Sequence, residues 1–147
     1  MAHSDAEKFC EEGIKAVNSR NTLVALLAFE KAAQLAPSPV ICSYLAYCLA
    51  KERGAIKKAL VLCNQAIFAE PRNTVHYLNL GRIYLIAKKK KQAIDAFRKG
   101  LKYGKNQQIV KELNGLGLRK EPIFSFLARE NILNRMGGIL YKKFGLR

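Results

Sequence analysis

The sequence predicts an all-α protein, a right-handed α-solenoid made of three helix-turn-helix units, a capping helix and a C-terminal amphipathic segment. Three observations predict it. The chain repeats itself without gaps every 34 residues. Apolar and small residues recur at helical spacing twice in each unit. Prolines follow the second helical pattern in the first two units, where a residue without an N–H group ends a helix.

The three units begin at Ala6, Val40 and Thr74, so by period they span 6–39, 40–73 and 74–107. Each unit contains two helical patterns, and those of the third unit are the clearest. Its first helix is marked by Tyr77, Leu80, Gly81 and Tyr84, and its second by Ala93, Phe97 and Gly100. A fixed period of this length with two helices per unit is typical of stacked helical repeats.

Small residues occupy matching positions of the second helices, where helix axes can approach closely. They are Ala25, Ala59 and Ala93, followed by Ala32, Ala66 and Gly100, with Phe29, Cys63 and Phe97 between them and Pro37 and Pro71 after the helix. This pattern resembles the tetratricopeptide repeat family, whose consensus is aromatic, Leu, Gly and Tyr, then Ala, Phe, Ala and Pro. The second unit departs most, with Ser43 at the aromatic position and Tyr47 at the glycine position, which predicts altered packing there.

The segments outside the repeats have distinct predicted roles. Residues 1–5 are expected to be disordered, and 108–118 to form a capping helix that covers the apolar end of the stack. Residues 119–147 form a basic amphipathic extension, in which Leu133, Met136, Leu140 and Phe144 recur at helical spacing. Three roles are open for this extension: folding back onto its own repeats, pairing with another protomer, or lying on an anionic membrane.

The net charge of +15 is unevenly distributed. Residues 1–71 contain 8 Lys and Arg against 7 Asp and Glu, whereas residues 72–147 contain 18 against 4. This asymmetry suggests an acidic partner, an anionic membrane or nucleic acid. The candidate basic surface comprises Lys88, Lys89, Lys90, Lys91, Arg98, Lys99, Lys102 and Lys105. The four consecutive lysines are predicted to form the turn between two helices and the first turn of the second.

The sequence gives little support to catalysis or cofactor binding, so we expect a protein that is not an enzyme and has no cofactor. Only His3 and His76 could serve as histidine bases, and no glycine-rich phosphate loop is present. The four cysteines are widely spaced and suggest reduced thiols rather than a metal site. The first residues carry no apolar signal region, and the longest apolar stretch is far below the ~20 residues of a membrane-spanning helix. We therefore expect a cytoplasmic location.

The family resemblance implies that the first helices line a concave groove. The candidate groove residues are Cys10, Ile14, Val17, Ile41, Tyr44, Cys48, Val75, Leu78, Arg82 and Leu85. An exposed apolar patch of this extent marks an interaction site, although helix rotation could instead bury several of these side chains between repeats. The leading expectation is an adaptor that binds a partner protein's helix or apolar peptide, with Tyr44, Leu78 and Leu85 as central contacts and Arg82 as a polar one.

Some relatives hold acidic chaperone tails with a clamp of Lys, Asn and Arg, and the resemblance locates the matching positions here. They are Cys10, Ile14, Leu45, Val75 and Asn79. The clamp is absent, so we do not expect a chaperone tail as ligand. Alternatives to the adaptor function are association of the basic half with anionic membrane or nucleic acid, occupancy of the groove by the chain's own C-terminal segment, and homo-oligomerisation.

Overall fold

The computed structural model describes residues 1–117, and every regular element in that range is an α-helix. The helices are α1 (Ala2–Asn18), α2 (Thr22–Leu35), α3 (Pro39–Arg53), α4 (Ile56–Ala69), α5 (Thr74–Ile86), α6 (Lys90–Tyr103) and α7 (Gln107–Gly115). None of them is both long enough and apolar enough to cross a membrane. The predicted extension, residues 119–147, lies outside the described residues.

Helices α1 to α6 form three antiparallel pairs, α1 with α2, α3 with α4 and α5 with α6. Successive pairs pack through α2 against α3, and through α5 against both α3 and α4. The second helices begin at Thr22, Ile56 and Lys90, which are one 34-residue period apart. The predicted α-solenoid is therefore confirmed. Residues 1–109 form one compact unit, and the described part of the second unit is residues 110–117.

The turn inside each helix pair uses one left-handed residue at the same position of the repeat. These residues are Arg20, Gly54 and Lys88, with φ of 62°, 64° and 62°. The N–H group of the third residue past the helix closes the turn, as Asn21 N donates to Ala16 O at 2.8 Å and Lys89 N to Tyr84 O at 2.9 Å. In the third unit this turn contains Lys88 and Lys89, and the rest of the lysine run begins α6.

Polar side chains cap the first helices of the second and third units and α7. Ser38 Oγ accepts from Ile41 N at 3.2 Å, Asn73 Oδ1 from Val75 N at 3.0 Å, and Asn106 Oδ1 from Gln108 N at 3.0 Å. Each cap satisfies an N–H group that has no partner within its own helix. These three caps fix where the chain re-enters the stack, and the sequence patterns did not predict them.

The two helices of each pair approach closely because one large side chain is matched by one small residue. A Cβ atom at Gly13 would lie 2.6 Å from Phe29 Cζ, and one at Gly81 would lie 2.2 Å from Phe97 Cε1. The second unit inverts this arrangement, because Tyr47 on its first helix packs against the cluster that contains Cys63. The altered packing predicted for this unit is thus an exchange of large and small residues between its two helices.

The N-terminus differs from the prediction. Residues 2–5, expected to be disordered, form the first turn of α1, where Asp5 N donates to Met1 O at 3.0 Å. The carboxylate of Asp5 also lies near the positive end of the helix dipole, which favours helix formation there. A helix occupies most of the range 108–118 predicted for the capping helix, since α7 spans Gln107–Gly115, and a Cβ at Gly100 would lie 2.9 Å from Ile109 Cδ1 of this helix.

Candidate functional site

The predicted groove residues are less accessible than the sequence suggests. Five are buried, namely Val17, Ile41, Tyr44, Cys48 and Leu78. The other five, Cys10, Ile14, Val75, Arg82 and Leu85, are half-buried, and none of the ten is fully exposed. The expectation of an exposed patch is therefore wrong for the first five, and the alternative of burial within the stack holds for them.

Four of the buried residues are core residues of the first two units. Val17, Ile41, Tyr44 and Cys48 belong to one apolar cluster that also contains Phe29. The rings of Phe29 and Tyr44 are stacked with centroids 5.1 Å apart and planes 5° from parallel. A side chain held in this way contributes to folding, because its apolar area is already removed from water. Leu78, expected to be a central ligand contact, is fully buried as well.

Among the half-buried residues, Arg82 of α5 places its guanidinium group against α3. Arg82 Cζ lies 5.3 Å from the centroid of the Tyr47 ring, in cation–π geometry. Burial raises the pKa of the Tyr44 hydroxyl, the positive charge of Arg82 lowers it, and the thiols of Cys10 and Cys48 raise it. Arg82, Cys10 and Cys48 therefore all lie close enough to the Tyr44 hydroxyl to affect its ionisation. Arg82 of α5 therefore lies beside Tyr44, Tyr47 and Cys48 of α3, while Cys10 of α1 lies near Tyr44.

The thiols are unsuited to nucleophilic chemistry at neutral pH. All four cysteines are free, and burial raises the pKa of Cys48 and of Cys63 to about 12. The pKa values of the half-buried Cys10 and Cys42 are raised for the same reason. A thiol attacks and binds metal mainly as its thiolate, which burial disfavours here. Within residues 1–117, no cluster of three potential metal ligands is present.

A buried polar network joins the second and third units. His76 Nδ1 lies 2.9 Å from Ser43 Oγ, and His76 Nε2 lies 2.8 Å from Glu70 Oε1. Asn79 Nδ2 also donates to Ser43 Oγ, at 3.2 Å. Ser, His and Glu in this order suggest a nucleophile, a base and an orienting carboxylate. However, Ser43, His76 and Asn79 are fully buried, so no substrate can reach the serine, and the network joins the repeats instead.

The candidate basic surface is mostly exposed. Lys88, Lys89, Lys90, Lys91, Lys99, Lys102 and Lys105 are exposed, and Arg98 is half-buried. They lie at the turn before α6, along α6 and shortly after it, so the structure gathers them on this helix and at its two ends. Asp95 is the one carboxylate on that helix. The exposed large apolar side chains lie mainly on α2 and α4, and the sequence patterns did not predict that they form a surface.

Comparison with known proteins supports the fold. No protein-family model matches the chain, and no curated protein sequence matches it. Among solved structures, the chain is similar to the crystal structure of the Sgt2 TPR domain from Aspergillus fumigatus, with 22% sequence identity and a TM-score of 0.58. The similarity covers 75% of each chain. Together with the three helix pairs at a 34-residue period, this similarity shows that the chain has the tetratricopeptide repeat fold.

Proposed function

We propose that this protein is an adaptor that binds an amphipathic helix or apolar peptide of a partner protein along its first helices. The fold is a protein-interaction scaffold in general. The observation that carries the specific proposal is a set of partly accessible apolar side chains on first helices, together with a guanidinium oriented by the Tyr47 ring. Cys10 and Ile14 lie on α1, and Val75 and Leu85 lie on α5 together with Arg82.

This chemistry suits a ligand with an apolar face. A helical ligand buries residues at i, i+3, i+4 and i+7 in a groove, and aliphatic side chains such as Ile14 and Leu85 offer matching contacts. Arg82 is pre-oriented by the Tyr47 ring, so it loses less side-chain freedom when it donates to a polar group of the ligand. The ligand would thus gain most of its affinity from apolar contacts and its register from one polar contact.

The same surface argues against a ligand recognised through its terminal carboxylate. At the clamp positions stand Cys10, Ile14, Leu45, Val75 and Asn79. A carboxylate needs cationic donors or several N–H groups to replace its water shell, and thiol and aliphatic groups supply neither. A partner with an apolar helix therefore fits better than an acidic tail.

The first test measures peptide binding to the full chain. A library of amphipathic helical peptides is selected against the protein, and fluorescence anisotropy gives the Kd of the best binder. Val75→Glu and Leu85→Glu each place a carboxylate in the proposed site and are expected to weaken binding by more than about tenfold, since each desolvates an unpaired charge. The matched control is Val24→Glu, the same change at an exposed valine of α2, which is expected to leave the Kd unchanged.

Two results would contradict the proposal. One is unchanged affinity in both site variants, and the other is an equal loss in the Val24→Glu control. Circular dichroism and thermal unfolding of each variant show whether the half-buried substitutions preserve the fold, and Leu85→Ser provides a milder change at the same position.

A further inference from the structure

The second helices turn one face to solvent at the same positions in all three units. Six positions per helix are exposed throughout, those of Leu23, Val24, Leu27, Lys31, Gln34 and Leu35 in α2 and their equivalents one and two periods later. We call this set the outer face. Because the same positions are exposed in every unit, the outer face follows from the repeat itself and is independent of the site proposed above.

The outer face carries large apolar side chains in its first two units. Phe68 is 90% exposed, Val61 57% and Leu23 54%. Val24, Leu27 and Leu35 are also exposed. Phe68 and Val61 further line a surface pocket of about 450 Å³, together with Leu60, Asn64 and Gln65 of α4. An aromatic ring held almost entirely in water contributes little to the core, and clusters of such residues on a monomer mark an interaction surface.

The charges of the same face are almost all positive. Its lysines are Lys31, Lys57, Lys58, Lys91, Lys99 and Lys102. Asp95 is its one carboxylate, and α4 contains no acidic residue. Lys57 and Lys58 lie in the first turn of α4, on the same helix as Val61 and Phe68. Cations therefore stand beside the exposed apolar groups, on a face with almost no acid to neutralise them.

From this combination we infer that the outer face binds an anionic membrane surface. Exposed aromatic and aliphatic side chains enter the headgroup region, and adjacent lysines pair with lipid phosphates. Both requirements are met on α4 by Phe68 and Val61 with Lys57 and Lys58. This surface differs from the basic C-terminal extension, because it lies on the repeats and includes the apolar side chains of the first half of the chain.

Two other occupants fit less well. A second copy bound through the same face would bring lysines opposite lysines with one carboxylate per chain to compensate, and like charges brought together repel. A nucleic acid would satisfy the lysines, since its affinity comes mainly from phosphate contacts. It would leave exposed aliphatic groups such as Leu23, Val24 and Leu27 without a comparable contact. An anionic membrane would contact both the lysines and the exposed apolar side chains of this face.

The test uses sedimentation of the full chain with vesicles. We expect binding to vesicles of mixed phosphatidylglycerol and phosphatidylcholine, and much weaker binding to phosphatidylcholine alone. Phe68→Ser and the double substitution Lys57→Glu with Lys58→Glu are each expected to lower the partition coefficient by about tenfold. The charge-matched control is Lys8→Glu with Lys15→Glu on α1, which is expected to change it far less. All these positions are exposed, so the variants are expected to keep the circular dichroism spectrum of the parent protein.

Several outcomes would overturn the inference. Unchanged vesicle binding in both outer-face variants would assign any membrane affinity to another part of the chain. Equal binding to neutral vesicles would remove the role of the lysines. If the protein does not bind vesicles but binds a DNA duplex, and Phe68→Ser leaves the DNA affinity unchanged, the ligand of this face is nucleic acid. A dimer in analytical ultracentrifugation that Phe68→Ser dissociates would show that a second copy covers this face.

Discussion

At the scale of single residues, the hydrogen bond between Ser43 and His76 explains the departure of the second unit from the repeat pattern. The other units have Phe9 and Tyr77 at the position of Ser43. A small hydroxyl there leaves room for the imidazole of the next unit, and the 2.9 Å contact satisfies a nitrogen that is fully buried. The ionised Glu70 carboxylate can only accept a hydrogen bond, so Nε2 carries the proton and donates to it.

This geometry predicts a pH dependence of stability. Burial lowers the pKa of His76 below its ordinary value of 6.5, and this effect exceeds the opposing effect of Glu70. The unfolded chain therefore binds the proton at higher pH than the folded chain does. The contribution of neutral His76 is complete above about pH 6.5 and is lost as the pH falls from there toward the folded-state pKa. Urea unfolding at about pH 7.5 and about pH 5.5 measures the difference.

The control for this effect is His76→Gln, which keeps hydrogen-bonding groups but cannot titrate. We expect this variant to be less stable near neutral pH, because the network geometry changes, and to lose less stability than the parent between the two pH values. An identical loss in both proteins would show that other groups control the acid sensitivity.

Sequence patterns predict single residues unevenly in this protein. The departure at Ser43 is visible in the sequence, but its partner is 33 residues away, so only the stacking of units reveals the pair. The groove residues illustrate the opposite error. The repeat pattern assigns Ile41, Tyr44 and Cys48 to an open surface, whereas the close approach of neighbouring helices buries them. The 34-residue period therefore predicts the helix in which a residue lies more reliably than it predicts the solvent exposure of the side chain.

At the scale of helices, each unit fills the space between its two helices with one large side chain. Gly13 faces Phe29 and Gly81 faces Phe97, while Tyr47 and Cys63 reverse the order. Cores tolerate exchanges that conserve total volume better than changes on one side. The second unit thus fills the same space with the large residue on its first helix and the small residue on its second.

Exchanging these residues tests the packing argument. Tyr47→Gly is expected to destabilise by about 3–5 kcal/mol through a cavity. Cys63→Phe is expected to destabilise by about 1–3 kcal/mol through overpacking against Tyr47. The double variant restores the glycine and phenylalanine order of the other units, so it should be more stable than the sum of the two changes predicts, by about 2 kcal/mol or more. Denaturant unfolding of the four proteins gives this coupling energy.

The double variant is expected to recover only part of the lost stability, because Tyr47→Gly also removes the ring beneath Arg82. The control pair is Tyr47→Gly with Ala50→Gly, which has no compensating gain in volume and should show no favourable coupling. Strictly additive effects of Tyr47→Gly and Cys63→Phe would show that the two residues do not share one space.

The 34-residue period predicts some boundaries of the helices and not others. The starts of α2, α4 and α6 follow the 34-residue period, because small residues on these helices pack in the same way in each unit. The caps Ser38, Asn73 and Asn106 vary in type and in spacing, so periodicity does not reveal them. They are visible only as polar residues directly before an apolar helical run.

At the scale of the whole molecule, charge and apolar exposure follow different gradients along the repeats. The outer face is mostly apolar on α2 and mixed on α4, and on α6 five of its six residues are polar or charged, three of them lysines. The core positions show no such change, since alanine recurs at Ala25, Ala59 and Ala93. The repeat thus keeps its packing positions while its solvent positions diverge, and residues at solvent positions carry the specific interactions of such a fold.

The charge gradient has a predictable effect on stability. Residues 74–107 contain nine Lys and Arg against one Asp, a formal charge of +8 within one repeat. Like charges at this density repel in the compact state, and salt screens the repulsion over a Debye length of about 10 Å at 0.1 M. Raising sodium chloride from about 0.01 M to about 0.15 M is therefore expected to raise the Tm by roughly 4 °C, equivalent to about 1 kcal/mol.

Variants of the lysine turn show whether this repeat is the source of the salt response. Lys89 and Lys90 lie at the N-terminus of α6, where a cation also opposes the helix dipole. Lys89→Gln with Lys90→Gln is expected to raise the Tm at low salt and to reduce the further increase on adding salt. The control is Lys15→Gln, in the last turn of α1, where a cation is favourable. This change is expected neither to raise the Tm at low salt nor to reduce the increase in Tm on adding salt. If the double variant keeps the full salt response of the parent, repulsion at the start of α6 is not its cause.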